Sequence, residues 1–374
     1  MTSAERPVRV LAIRLDSDGD VLLTGPAVRA LAATYDQVDL LVSGSGLQAA
    51  ELLPGVTETL RFDAPWSGAE PPQVSAEAVL DLVAGLVARR YQLAVIFTSF
   101  HQSPLPMALL ARLAGVRRIV AVSEDYPGSL LDVRHKRPPG LHEVEAALDL
   151  AEQAGAVLPV EDDGLLAVRR PLPALPARAE RALRAGGALG AEGAWRNRSV
   201  VLHPGASVPA RAPLPEDARA IAERLAHDGW EVLVTGAAAE RDLTAYVAGD
   251  HATDLGGQTS LAELAAVLES AACAVVGNTG PAHLAAAVGT PVVSLFAPVV
   301  PADRWAPYGV PRLLLGDQGA ACRGTRARTC PVAGHPCLAS VTPEQVSDAV
   351  ARLTYPQPRA SATAGGNRVK GWPS

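Results

Sequence analysis

The sequence predicts an α/β protein of two open domains, each a parallel sheet covered by helices, facing each other across a cleft. Apolar runs of strand length alternate with amphipathic helical segments, as in parallel sheets. The alternation stops in a proline-rich stretch at 157–177 and then restarts. The length of 374 residues also exceeds the roughly 100 to 200 residues of one domain. Ligands are expected in the cleft, where strand carboxyl ends and helix N-termini meet.

The predicted elements follow from the apolar runs and their period. Strands are predicted in the first half at 8–15, 38–42, 59–62, 93–97 and 118–122, and in the second half at 199–203, 231–235, 274–277 and 291–296. Helices are predicted at 26–33, 47–53, 76–90, 105–113, 216–226, 261–270, 281–288 and 343–353. We therefore expect an N-terminal domain at 1–165, a linker at 166–180, a C-terminal domain at 181–354 and a disordered tail at 355–374.

Composition excludes several classes of protein. The formal net charge is −6, whereas a protein that binds nucleic acid usually carries a basic surface. A nucleic-acid partner is therefore not expected. With 48% hydrophobic and 19% charged residues, the chain has enough apolar surface for two cores. No apolar stretch approaches the roughly 20 residues of a membrane span or the core of a signal peptide. We expect a cytoplasmic protein, for which a peripheral contact with the inner face of the cell membrane stays open.

The first informative segment is the polar stretch after the first strand, with Asp16, Asp18, Gly19 and Asp20. Calcium is one interpretation, since D-x-D-x-D opens an EF-hand loop. That loop requires glycine at its sixth position and glutamate at its twelfth, which here are valine and alanine, so we reject calcium. A general base at the cleft and a plain helix-capping turn both remain.

Two further turns have the chemistry of anion sites. After the strand that ends at His203, a small-residue turn with Ser207 offers exposed amides and Arg211 a cation. After a later strand, Thr279 and Gly280 precede a helix that starts at Pro281, so that free amides and the helix dipole favour a phosphate. Either turn alone also fits an ordinary capped βα connection.

Taken together and in order, these segments resemble the glycosyltransferase family of ADP-heptose lipopolysaccharide heptosyltransferases. The resemblance spans about residues 8–345 and is carried by GDVLLTGPAVRAL, HEVEAALDLAEQAG, HPGAS, GAAAERD and NTGPAHLAAAVGTPVV. It implies the GT-B architecture, with two Rossmann-like domains. The N-terminal domain would lie on the acceptor side, and the C-terminal domain would bind most of a nucleotide-sugar donor.

The resemblance also implies roles for single residues. The aspartate of the first Gly-Asp pair is the presumed base, which is Asp20, with Gly19 on the acceptor side. Asp16 and Asp18 have no such match. Ser207 and Arg211 correspond to the donor diphosphate site, where relatives often have lysine in place of the arginine.

The rest of the implied donor site includes one departure from the family. Glu240 lies four residues after Gly236, the spacing of the carboxylate that holds the donor ribose; a solvated first-turn glutamate is the alternative. Thr279, Gly280 and His283 match, but Asn278 replaces the usual aspartate. This amide leaves the identity of the sugar open.

The cysteines are a second departure. Cys322, Cys330 and Cys337 lie near His335, and Thr325 stands where many relatives have another cysteine. We favour a local structural role, as a disulfide or as packing, over zinc, because no C-x-x-C pair is present. Cys273 lies in a predicted strand and is expected in the core.

The sequence therefore predicts an inverting glycosyltransferase that needs no metal or cofactor, with a nucleotide sugar, most simply ADP-linked, as its donor. The transferred sugar would be heptose or a related hexose. The candidate acceptors are a cell-envelope glycan, a glycolipid and a natural product, each of which would receive the sugar on a hydroxyl group. A nucleotide-sugar 2-epimerase-like enzyme and a noncatalytic nucleotide-sugar-binding protein are the alternatives.

Overall fold

The computed structural model describes residues 8–68, 70–99, 102–185 and 198–354 and forms two six-stranded parallel sheets flanked by helices. The predicted architecture of two Rossmann-like domains is confirmed. Parts of the predicted domains, at 1–7 and 186–197, and the tail predicted at 355–374 lie outside the described residues. In the described ranges, no helix is both long and apolar enough to cross a membrane.

The N-terminal domain has strands β1 (Arg9–Arg14), β2 (Gln37–Val42), β3 (Thr59–Arg61), β4 (Leu93–Ile96), β5 (Arg118–Val122) and β6 (Val133–His135). Its helices are α1 (Asp18–Thr34), α2 (Leu47–Leu52), α3 (Ala76–Arg89), α4 (Leu105–Leu113) and α5 (Glu143–Gln153). The strand order is β3-β2-β1-β4-β5-β6. From β1 the chain first adds strands on one side (β2, β3) and then on the other side (β4, β5, β6). A crevice opens at this switch point between β1 and β4.

The C-terminal domain has strands β7 (Ser199–His203), β8 (Glu231–Val234), β9 (Thr253–Asp254), β10 (Cys273–Gly277), β11 (Val292–Leu295) and β12 (Arg312–Leu315). Its helices are α6 (Ala177–Ala185), α7 (Pro215–His227), α8 (Arg241–Ala248), α9 (Leu261–Glu269), α10 (Gly280–Ala287), α11 (Ala302–Trp305), α12 (Pro336–Ala339) and α13 (Pro343–Thr354). The order β12-β11-β10-β7-β8-β9 places the switch point between β7 and β10.

All nine predicted strands are present, each within two residues of the predicted bounds. The prediction missed β6, β9 and β12, which form sheet edges. These strands have two to four residues and are only partly buried, so they lack the apolar run that identifies a central strand.

The first helix begins eight residues before its predicted start, so Gly19 and Asp20 lie in its first turn and not in a loop. The prediction placed this helix at 26–33. In the structure Pro26 lies inside α1. Acidic residues in the first turn favour the earlier start through the helix dipole, and Thr24 donates to the Asp20 carbonyl at 2.9 Å.

The connection between the domains is firmly attached to the N-terminal domain. Arg29 forms a two-pronged ion pair with Asp162, at 2.7 and 2.8 Å. The Arg169 amide donates to the Leu52 carbonyl at 2.7 Å, and its side chain donates to Leu53 at 2.8 Å. Helix α6 begins within the predicted linker and packs against β8 and β9.

The two domains also contact each other directly. Helix α1 packs against α10, and α2 packs against α9. The Leu261 amide donates to the Gln48 side chain at 3.0 Å, and His142 Nε2 lies 2.9 Å from the Ala306 carbonyl oxygen. One apolar core runs through α1, α10 and the strands beneath them. The N-termini of α1 and α10 are thereby brought face to face.

Candidate functional site

The centre of the site is the contact between the first turns of α1 and α10. A Cβ placed on Gly19 would lie 3.1 Å from the Gly280 Cα and 3.2 Å from His283 Cδ2. Only a residue without a side chain allows so close an approach of two backbones. Each helix follows a strand beside its sheet's switch point, namely β1 and β10. The contact therefore joins the two crevices that the sheets form.

Asp20 is held in place at this junction with part of its carboxylate open to solvent. Its Oδ1 accepts from Arg14 Nη2 at 3.0 Å, and its Oδ2 accepts from the Ser17 hydroxyl at 3.1 Å. The side chain keeps 22% exposure. Arg14 also donates to Ser99, which follows β4, at 3.1 Å. The carboxylate is thus oriented by fixed donors and still accessible, as a general base requires.

The two neighbouring aspartates have structural partners. Asp16 lies 2.9 Å from Arg14 Nε and accepts from Gln102 Nε2 at 2.5 Å; burial raises its pKa. Asp18 accepts from the Ala49 amide at 3.0 Å, and burial raises its pKa to about 6. Asp16 therefore fixes Arg14, while Asp18 ties α1 to α2.

Arg211 supplies a cation on the C-terminal side of the junction, near the end of β10. It lies in the turn after β7, and its carbonyl oxygen would be 2.6 Å from a Cβ on Gly277. Its buried Nε has no hydrogen-bond partner among the described residues. Burial lowers the pKa of its guanidinium, the nearby Asp20 opposes that shift, and Arg326 adds to it. Ser207, in the same connection, is exposed.

Arg326 was missed by the sequence reasoning. It lies in the segment between Cys322 and Cys330, more than 100 residues from Arg211, and no local motif marks it. Its effect on the pKa of Arg211 arises only in the tertiary fold.

Asn278 and Thr279 close the end of β10. The Asn278 side chain is buried and faces Ala297, which follows β11: Nδ2 donates to the Ala297 carbonyl at 3.4 Å, and Oδ1 accepts from its amide at 3.3 Å. The Asn278 side chain therefore links the end of β10 to the end of β11. Thr279 precedes α10 with no side-chain cap bond, and both it and Gly280 are partly exposed toward the junction.

His283 lies in the first turn of α10 and is 5% exposed. Its Nδ1 has no hydrogen-bond partner among the described residues. The pKa of its imidazole is lowered to about 4, mainly by burial; the nearby His142 and Arg211 contribute to this shift, and Asp20 opposes it. His283 is therefore neutral near pH 7 and presents an unsatisfied ring nitrogen.

Glu240 lies between two glycine turns of the C-terminal domain. Its Oε2 accepts from the Ala237 amide at 2.7 Å and lies 3.9 Å from His203 Nε2. A Cβ on Gly205 would be 2.0 Å from Oε1, and a Cβ on Gly236 would be 3.2 Å from Oε2. Both turns must therefore be free of side chains for Glu240 to lie where it does. The carboxylate keeps 23% exposure, so it can accept from a ligand.

A cavity of about 480 Å³ opens beside Arg14, at the carboxyl ends of β4 and β5. Its lining includes Ser99 and Gln102 from the N-terminal domain and Arg304 from the C-terminal domain. Arg137 also lines it and is paired with the buried Glu143 at 2.6 Å. The sequence reasoning missed these residues: Ser99 lies shortly after a predicted strand, while Arg137 and Arg304 follow no predicted strand directly and carry no local signal.

The three clustered cysteines are free thiols. Cys322 and Cys337 are buried and Cys330 is partly exposed. Burial raises the pKa of the Cys337 thiol to about 11, and the neighbouring Cys322 and Cys330 add to that shift. In the ranges that the structure describes, no group of three or more His, Cys, Asp or Glu side chains is arranged to hold a metal ion. Cys273 is buried in β10, as predicted.

Comparison with known proteins places this site in a family context. Residues 82–334 match the family model described as glycosyltransferase family 9 (heptosyltransferase). Lipopolysaccharide heptosyltransferase 1 of Pseudomonas aeruginosa is 39% identical over 115 residues, which are 30% of this chain and 32% of that protein. Lipopolysaccharide heptosyltransferase 3 of Escherichia coli is 25% identical over 287 residues, 74% of this chain and 80% of that protein.

Solved structures support the fold. A family 9 glycosyltransferase from Veillonella parvula superimposes with a TM-score of 0.73 at 16% identity, covering 93% of this chain and 97% of that one. E. coli heptosyltransferase WaaC with ADP-2-deoxy-2-fluoro heptose gives a TM-score of 0.64 at 22% identity, covering 91% and 98%.

Proposed function

The chain belongs to glycosyltransferase family 9, and on that premise we propose that it transfers a sugar from a nucleoside-diphosphate sugar to an acceptor hydroxyl. An ADP-linked heptose is the first donor to consider, because the heptosyltransferase structure compared above was solved with an ADP-heptose analogue. A related hexose is the second. The acceptor is a cell-envelope glycan, a glycolipid or a natural product.

One observation carries the proposal: Asp20 and Arg211 come from different domains and lie on either side of the junction of α1 and α10. Arg211 is close enough to Asp20 for that carboxylate to act on its pKa. A base and a cation on opposite domains are the arrangement that a displacement between two bound substrates requires.

The reaction is proposed as a single displacement at the anomeric carbon. Asp20 takes the proton of the acceptor hydroxyl while that oxygen forms a bond to the anomeric carbon. The bond from that carbon to the diphosphate oxygen breaks at the same time, and the nucleoside diphosphate leaves from the opposite face. The product therefore has inverted anomeric configuration. Arg14 and Ser17 act by holding the Asp20 carboxylate.

The C-terminal domain is proposed to stabilise the charge that develops on the leaving diphosphate. Arg211 supplies the positive charge, and the free amides of α10 at Thr279 and Gly280 supply aligned dipoles. The Ser207 hydroxyl and the unsatisfied His283 Nδ1 are further polar groups in reach of the donor. Glu240 accepts from the ribose hydroxyls. In this proposal these protein groups supply the stabilising charge without a metal or cofactor.

The acceptor is assigned to the cavity beside Arg14, because its lining reaches the residues that orient Asp20. Asn278 is proposed to keep the end of β10 in register with that of β11, and to affect the donor sugar only through the position of Thr279 and Gly280.

The test is a two-stage assay on the full chain. A thermal-shift screen of ADP-, GDP-, UDP- and TDP-sugars should show stabilisation by one base, since a ligand of the native state raises its melting temperature. The selected donor is then incubated with an acceptor panel, and nucleoside diphosphate release and the anomeric configuration of the product are measured. We expect release that depends on acceptor and a product of inverted configuration.

Other outcomes distinguish the alternatives. An epimerised sugar from donor alone would identify an epimerase-like enzyme. Donor binding without acceptor-dependent release over a broad panel would identify a noncatalytic nucleotide-sugar-binding protein. A product with retained configuration would contradict the single displacement.

A further inference from the structure

We propose that His142 is a positioning residue for the acceptor site, because its ring holds α11, and with it Arg304, against the cavity beside Arg14. The inference rests on the proposed function, which assigns that cavity to the acceptor. Its basis is a buried imidazole that is bonded to both domains at once.

The cavity beside Arg14 is built from both domains. Among the described residues that line it, Arg304 of α11 alone comes from the C-terminal domain. The wall from the N-terminal domain includes Glu143, the first residue of α5, which is paired with Arg137 at 2.6 Å. Where Arg304 lies relative to this wall therefore depends on how α11 is held against α5.

His142 is fixed on the N-terminal domain as the residue that caps α5. Its Nδ1 accepts from the Val144 amide at 3.2 Å, and its own amide donates to Glu145 Oε2 at 2.9 Å. Since Nδ1 is an acceptor, the ring proton of the neutral imidazole is on Nε2. Burial lowers the pKa of the ring, which favours this neutral form. The cap thus sets both the tautomer and the direction of Nε2.

The opposite side of the ring contacts the C-terminal domain. Nε2 donates to the Ala306 carbonyl at 2.9 Å, and the ring packs on Tyr308 with centroids 4.7 Å apart. Ala306 directly follows α11, and its amide donates to the Ala302 carbonyl at 2.9 Å. The bond from His142 therefore ends two residues after Arg304, on the last turn of the helix that carries it.

A second hydrogen bond between the domains lies on the other side of the switch point. The exposed Gln48 side chain accepts from the Leu261 amide at 3.0 Å. Gln48 is in α2, which follows β2, whereas the cavity lies at the ends of β4 and β5, beyond β1 in the strand order. Gln48→Ala is therefore a matched control, because it removes a bond between the domains without touching the cavity.

His142→Asn separates the two contacts of the ring. Asparagine is among the best N-cap residues, and its Oδ1 takes the place of the imidazole Nδ1, so the cap of α5 can be kept. It has no atom in the place of Nε2, so the bond to Ala306 is lost. A role limited to capping α5 predicts that this variant behaves as the wild type.

The first measurement is hydrogen–deuterium exchange of the full chain, which needs no ligand. We expect the amides at 302–306 to exchange about fivefold faster in His142→Asn, as for the loss of one hydrogen bond, with the exchange of α5 within about twofold of the wild type. Tyr308→Leu removes the ring contact from the other domain and should speed the same amides by about threefold. Gln48→Ala should leave them unchanged.

The second measurement is steady-state transfer from the donor selected by the thermal-shift screen, with a methyl hexoside as the acceptor probe. In His142→Asn the KM for the hexoside should rise about fivefold, with kcat and the affinity for the nucleoside diphosphate within about twofold. None of the hydrogen bonds described for His142 reaches a proposed donor residue. In an Arg304→Ala background, His142→Asn should add less than about twofold, because both changes act on one contact with the acceptor.

The outcomes separate this role from the proposed function. A wild type that transfers no sugar from any screened donor would contradict the proposed function, and the exchange at 302–306 would still decide whether His142 holds α11. An active wild type with an unchanged hexoside KM in His142→Asn, or unchanged exchange at 302–306, would contradict only the role of His142. An equal rise of KM in Gln48→Ala, or effects that add in the double variant with Arg304→Ala, would also overturn it.

Discussion

Gly205→Ala tests the assignment of Glu240 to the donor ribose without touching Glu240 itself. The new Cβ would lie 2.0 Å from Glu240 Oε1, 2.4 Å from its Cδ and 2.9 Å from Oε2. No carbon and oxygen approach so closely without a bond, so the carboxylate must move. Because φ of Gly205 lies outside the left-handed region, alanine brings no backbone strain of its own.

The expected magnitudes follow from the contacts that Glu240 makes. Displacing the carboxylate breaks its hydrogen bond with the Ala237 amide, which costs about 1 kcal/mol of unfolding free energy. The proposed pair of bonds to the ribose diol is lost as well. At about 2 kcal/mol for partly exposed charged hydrogen bonds, nucleotide affinity should fall about 30-fold.

The assay is a double-mutant cycle in nucleoside diphosphate binding, measured by calorimetry. Glu240→Ala alone should lose about as much affinity as Gly205→Ala, and the double variant should lose no more than either, because both changes remove one contact. Gly85→Ala, in α3, is the control, since a Cβ there meets only Arg89 Nη1 at 3.7 Å. Wild-type affinity in Gly205→Ala, or losses that add in the double variant, would refute the reasoning.

Four further changes test other parts of the site. Asp20→Asn should lower turnover by about two to four orders of magnitude, the contribution of a general base, with nucleotide affinity within about twofold; turnover near the wild-type value would exclude Asp20 as the base. Arg211→Ala should weaken donor binding by more than about tenfold and lower turnover with it, since the cation acts on bound and leaving diphosphate alike; unchanged kinetics would contradict its role. Asn278→Asp replaces the amide that donates to Ala297 by a buried carboxyl group, whose pKa in the folded protein should be raised. The unfolding free energy should therefore fall by about 1 to 3 kcal/mol near pH 7.5 and by less near pH 4.5, where the carboxyl group is protonated. A loss of stability that grows as the pH falls would contradict the described bonds. The pKa of His283 is about 4 in the folded protein and 6.5 in the unfolded chain, so its contribution to stability is full above pH 6.5 and is lost as the pH falls toward 4. Chemical denaturation should give an unfolding free energy about 2 kcal/mol lower at pH 5 than at pH 7.5, and His283→Gln should not show this difference.

The departure at Asn278 has a structural explanation. An aspartate there would still accept from the Ala297 amide, but a carboxylate would face the Ala297 carbonyl oxygen, to which the Asn278 amide donates. The asparagine thus satisfies both backbone groups of Ala297. It changes how two strand ends are joined and leaves Thr279 and Gly280 at the junction.

The sequence by itself determined the two-domain α/β fold and the turns that carry the site. Buried parallel strands are continuous apolar runs, so the central strands are visible locally, and so are the connections after them with Asp20, Arg211 and Glu240. Each of these signals lies within one strand, turn and helix. Their roles came from a resemblance to a family and remain predictions.

The tertiary structure alone decided which groups face each other. Helix α1 packs against α10 of the other domain, and the local sequence around Asp18 and Pro26 does not show this contact. The pairing of Arg14 with Asp20 and the approach of Gly19 to Gly280 depend on where side chains and domains come to rest. The segment that carries Arg326 is held by backbone hydrogen bonds to two separate connections, one after β7 and one after β11. Apart from Arg14 and Asp20, which are six residues apart, these contacts join residues far apart in sequence. Local periodicity contains no information about them, because they are set by the global packing.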